Sequence, residues 1–125
     1  MKQSSKNVIA NQEKKTSKEQ INLYETISPL LQHAFSEIKE FSRKKQEEQL
    51  NLKKVKMINR LLGKAKELLK DEPTIEFLDL LNEDELPTNS DAVLIMSQFI
   101  AAINKFHSDH YHLNGWDIDG GGDWD

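Results

Sequence analysis

Apolar residues along this chain return every three to four positions in three stretches and nowhere alternate with period two, so the pattern predicts helices and no strands. In the first stretch Leu31, Ala34, Ile38 and Phe41 form a stripe flanked by Leu30 and Phe35, and Tyr24 and Ile27 extend it backwards. Two starts compete. Ser28 can cap a helix with Pro29 at its first position, where a missing N–H costs nothing. Thr16 and Glu19 also have the spacing of a capping box, so the helix either starts at 29 or runs from 17 with a kink. The segment 42–49 has no apolar residue and reads as a loop or a solvated turn. Leu50, Val55, Ile58, Leu62, Ala65 and Leu69 then predict a second helix ending near Lys70, with Leu61 and Leu68 alongside.

Asp71, Glu72 and Pro73 give a helix-start signal, and Ile75, Phe77, Leu78, Leu80 and Leu81 predict a short helix after it. An acidic loop, 82–87, leads to several N-cap candidates in 88–91. The last helix is expected from about 90 to 110, with Val93, Met96, Ile100 and Ile103 as its seam. Ala92, Leu94, Ile95, Phe99, Ala101, Ala102 and Phe106 fill its flanks, and a helix apolar nearly all round belongs in the middle of a core. The expected architecture is all-α, a small bundle of four to five helices over 16–113. Residues 1–15, polar and lysine-rich, are expected to form a disordered arm, and 114–125 an acidic, tryptophan-containing tail.

Composition narrows the function classes. The 125 residues suit one domain, and the absence of cysteine excludes a disulfide scaffold, a Cys-ligated zinc and a thiol nucleophile. Neither a signal-like apolar run at the N-terminus nor a membrane-length apolar segment occurs, so the expected setting is soluble and cytoplasmic, without a membrane. The net charge of -4 hides an asymmetry. Residues 43–70 carry ten basic and three acidic groups, whereas residues 71–125 carry one basic group, Lys105, and thirteen acidic ones. Charge blocks of opposite sign steer partners or pair with each other.

Three features could carry chemistry. His107 and His110 lie three apart on one helix face, with His112 next and Asp109 or Asp117 as a further ligand, so a divalent metal is a conceivable cofactor. The ordinary structural role of such residues is to finish a helix near its negative dipole end, and the expectation is that no cofactor is needed. Asp117, Asp119, Gly122 and Asp125 imitate positions 1, 3, 6 and 9 of a calcium-binding loop, but position 5 is Gly121 and position 12 lies beyond Asp125. The second feature is the helix face bearing Lys53, Lys54, Lys56, Arg60 and Lys64, which could follow a phosphate backbone. It has no aromatic for base stacking and an acidic remainder beside it, so nucleic acid is not the expected partner.

The third feature is the tail. Trp116, Ile118 and Trp124 are apolar anchors spaced by Asp117, Asp119, Asp123 and Asp125. Such a segment fits a basic, apolar-lined groove, with tryptophan supplying energy and aspartate steering. No nucleophile elbow, phosphate-binding glycine loop or H-E-x-x-H occurs. The expected function is therefore a non-enzymatic interaction module, an adaptor, regulatory or inhibitor subunit. It would bind a protein partner through its acidic half and tail, with homo-oligomerisation open to it.

Overall fold

A computed structural model describes residues 16–113, and the side chains of residues 16–111. It contains three α-helices, α1 (Lys18–Lys44), α2 (Leu52–Leu68) and α3 (Asn89–Leu113), and one 3-10 turn, Pro73–Phe77. The chain is helical as expected, but the four to five helices of the sequence reading become three. The residues expected to add the short helix instead make the 3-10 turn and then run extended from Leu78. Side chains of α2 hold the backbone there. The Leu81 N–H donates to Asn59 Oδ1 and Asn59 Nδ2 donates to the Leu81 carbonyl, both at 2.9 Å. Lys66 Nζ donates to the Leu78 carbonyl at 3.0 Å. These groups are the ones an intrahelical ladder would need.

Helix α1 settles the competition between starts in favour of the upstream one, and it runs through Pro29. Its cap is one residue later than the Thr16 pattern suggests. Ser17 Oγ accepts from the Gln20 N–H while the Gln20 side chain accepts from the Ser17 N–H, a complete capping box. Asn51 caps α2 by accepting from the Lys54 N–H at 2.8 Å. Thr88 does the same for α3 through the Asp91 N–H at 3.1 Å.

The segment between α1 and α2 is a loop, and it also serves α3. The Asn89 and Ser90 N–H groups donate to the carbonyls of Glu48 and Gln46, and the Leu50 N–H donates to Pro87. Asn89 Nδ2 adds a bond to the Lys45 carbonyl. The end of α1 and the starts of α2 and α3 are thus tied at one end of the bundle. At the other end Thr16 meets His110. Hence α1 runs antiparallel to both other helices.

One core joins the three helices and the return segment, through Leu31 and Ile38 of α1, Val55 and Leu62 of α2, Leu78 and Leu81, and Phe99 and Ile103 of α3. The second stripe buries as read, from Leu50 through Leu69. The third is kept in part: Met96 and Ile103 bury as expected, but the buried face is turned toward the Ala92 and Phe99 side. The buried line is Ala92, Met96, Phe99, Ile103 and Phe106, while Val93 and Ile100 are half-buried and Leu94 is 60 % exposed. The central helix also differs from the expected one. Helix α1 packs broadly on both α2 and α3, which touch each other sparingly. Among the described residues no helix is long and apolar enough to cross a membrane.

Candidate functional site

The rotated stripe of α3 explains where its histidines go. Steps of four and three from Ala92 through Phe106 lead next to His110, so this imidazole takes a core position. It is 6 % exposed and stacks on Phe106 with ring centroids 4.0 Å apart. Its Nδ1 lies 2.6 Å from Thr16 Oγ1 and its Nε2 lies 3.0 Å from Glu72 Oε2. An ionised carboxylate can only accept, so Nε2–H donates to Glu72, and in the neutral ring Nδ1 accepts from the threonine hydroxyl. His107 faces elsewhere, stacked between Tyr24 at 5.0 Å and Tyr111 at 5.2 Å. Asp109 pairs with Lys105 at 2.7 Å, and this hydrogen bond and charge hold the ammonium above its ordinary pKa.

The expected histidine cluster is therefore divided. Both His110 ring nitrogens meet protein groups, His107 is within an aromatic stack, and Asp109 is in an ion pair. Among the described residues no three His, Asp or Glu side chains gather to hold a metal ion. The side chain of His112 and all of Asp117 lie outside the described residues.

Thr16, His110 and Glu72 stand in the order hydroxyl, imidazole, carboxylate, which in hydrolases activates a nucleophile. A cleft of about 510 Å³ opens beside them, lined by Ser17, Gln20, Leu23, Leu68, Glu72 and His110 among others. Thr16 does not line it and is only 3 % exposed, so its hydroxyl is shut off from a substrate carbonyl. The arrangement is a tie between the N-terminus of α1, the end of α3 and the start of the return segment. Sequence reading missed Thr16 and Glu72 because each had a local explanation, as a helix cap and as a first-turn acid.

The lysine face of α2 is spent largely on the protein itself. Lys54 sits over the Phe41 ring, Nζ 4.6 Å from its centroid. Lys56 pairs with Glu83 at 3.5 Å and Lys64 with Glu67 at 3.6 Å. Lys53 and Arg60 are exposed on the same helix.

An open apolar groove lies between α1 and α2, on a face that no α3 residue lines. Ala34, Ile38 and Phe41 of α1 face Met57, Ile58 and Leu61 of α2 across a groove of about 280 Å³, with His33, Glu37 and Lys54 at its edges. Its lining is almost wholly carbon. Met57 is 58 % exposed, unusual for a methionine beside buried Ile58. A second hollow of about 420 Å³ continues from it, sharing Phe41 and Lys54 and adding Lys44, Lys45 and Glu48. The groove thus runs from a carbon-lined floor to a lysine-rich end. Sequence reading counted Phe41, Ile58 and Leu61 as core and did not see that two stripes could leave an open seam. The tail residues Trp116, Asp117, Ile118, Asp119, Asp123, Trp124 and Asp125 lie outside the described residues. No family model, no curated protein and no solved structure matches this chain.

Proposed function

We propose that the protein is a non-enzymatic helical interaction module of the cytoplasm, a small adaptor, regulatory or inhibitor subunit, whose α1–α2 groove receives an apolar anchor from a protein partner. The observation that supports this reading is the open, carbon-lined seam around Met57. Water gains little from such a surface, and a side chain inserted there gains roughly 25 cal/mol for each Å² of apolar area it buries. The lysine-rich end favours an anchor flanked by carboxylates, which adds steering and register.

Met57→Glu tests the reading, because an exposed position accepts the change without disturbing the core. Immobilised wild-type and variant protein are passed through host extract and the retained proteins quantified. Specific partners should fall by roughly tenfold or more on the variant, as for loss of a central anchor site. Equal retention on both would remove the groove from the function.

A further inference from the structure

The groove has the properties that the chain's own C-terminal segment requires. Residues 114–125 carry three large apolar anchors, Trp116, Ile118 and Trp124, and four aspartates with no basic residue. The groove offers an apolar floor at Ile38, Phe41, Met57 and Leu61 and three cations, Lys44, Lys45 and Lys54, against two carboxylates, Glu37 and Glu48. The N-terminal residues 1–15 are the other covering segment the chain could supply. They carry Lys2, Lys6, Lys14 and Lys15 against a single Glu13, so they would be repelled from the lysine-rich end. The remaining exposed large apolar side chains among the described residues, Leu30, Leu52, Phe77, Leu80 and Leu94, line neither hollow.

Reach decides which copy supplies the segment. Leu113 ends α3 at the end of the bundle where Thr16 meets His110. From Ser17 the α1 axis climbs about 24 Å before it reaches the near edge of the groove at His33 and about 30 Å before it reaches Ile38, at about 1.5 Å per residue. Trp116 is three residues beyond Leu113 and extends at most about 11 Å from it. Trp116 therefore cannot enter the groove of its own chain. Trp124, eleven residues beyond Leu113, spans at most about 40 Å and would arrive only with most of the intervening residues extended, and three of those residues are the glycines 120–122, which lose the most entropy on being held straight. A neighbouring molecule has no such constraint.

We infer that the α1–α2 groove binds residues 114–125 of a second copy of this chain. This rests on the groove being an interaction surface, as proposed above, and it names the partner. Reciprocal exchange between two copies closes a dimer, while one-way insertion builds a longer chain of molecules.

Both tryptophans of the protein lie in the segment, so their emission reports its surroundings directly. Raising the concentration of the full-length chain should shift the emission to shorter wavelength, in step with a rise in mass by sedimentation equilibrium. Met57→Glu should weaken both changes by roughly tenfold or more, as should Trp116→Ala, and a synthetic peptide of residues 114–125 should reverse them in the wild type. Any of four results overturns the inference: a monomer at every concentration, a blue shift independent of concentration, association that survives deletion of 114–125, or a peptide that fails to compete. If Met57→Glu loses retained partners while the wild-type chain stays monomeric, the groove function stands and only the self-docking is wrong.

Discussion

Single side chains carry much of what joins distant parts of this protein. Asn59 is the one uncharged polar residue inside α2, and its amide presents the same N–H and C=O pair as a peptide group. It binds Leu81 as a neighbouring strand would. Asn59→Ala leaves that backbone pair unmatched and should cost about 1–3 kcal/mol, read from the midpoint of urea unfolding. A variant as stable as wild type would mean that water replaces the amide at no cost. Thr16 and Ser17 illustrate how far local sequence decides roles. Both Thr16–Glu19 and Ser17–Gln20 have capping-box spacing; Ser17 makes the cap, while the Thr16 hydroxyl is taken up by His110 from the far end of the chain. Thr16→Val should therefore cost about 1 kcal/mol through the lost hydroxyl bond while the first turn of α1 keeps its helical chemical shifts. Ser17→Ala should cost a similar amount and fray that turn. If the first-turn shifts respond to the two changes in the opposite way, the capping assignment is reversed.

At the scale of elements, α2 was the most legible part of the chain. Its stripe from Leu50 to Leu69 is regular and its other face is charged, so one face could be buried and one only. Helix α3 was legible as a helix but not as a face. Nearly every residue from Ala92 to Phe106 is apolar, and several registers fit equally well until packing exposes Leu94 and buries Phe99. Their three-residue spacing placed His107 and His110 together on paper, whereas the packing turns one into an aromatic stack and the other into the core. The failed short helix at 73–81 has a different cause. Its backbone bonds are captured by Asn59 and Lys66, residues of another element that local propensity cannot see. Gly63 gives an element-scale prediction. It lies inside α2, and a Cβ built there meets open space. Gly63→Ala should stabilise the protein by about 0.5–1 kcal/mol, seen as a higher melting temperature, because a helix-interior glycine costs backbone entropy. A lower melting temperature would show that the backbone at 63 needs freedom this structure does not display.

For the whole molecule, the distribution of packing sets the order in which it opens. Helix α1 holds both neighbours, but α2 and α3 share little surface. Detaching α2 with its return segment leaves the α1–α3 pair intact, so the structure favours that partial opening over global unfolding. In native-state hydrogen exchange, amides of Leu62 and Ala65 should exchange through a smaller free energy than those of Phe99 and Ile103. Identical values for all four, tracking denaturant together, would show a single cooperative unit instead. The core itself should respond as one body to Phe99→Ala, which empties a fully buried ring and should cost about 3–5 kcal/mol.

The loop that follows α1 supplies the carbonyls on which α3 begins. Glu48 and Gln46 accept from the first-turn amides of α3, and Lys45 accepts from the Asn89 side chain, 44 residues along the chain. Insertions and deletions are ordinarily tolerated best in loops like this one, exposed and glycine-free though it is. Here a change of one residue in its length would shift those acceptors out of line and act as a lesion in a helix it does not belong to. Relatives of this chain, wherever they occur, should therefore vary in the sequence of residues 45–50 far more readily than in their number.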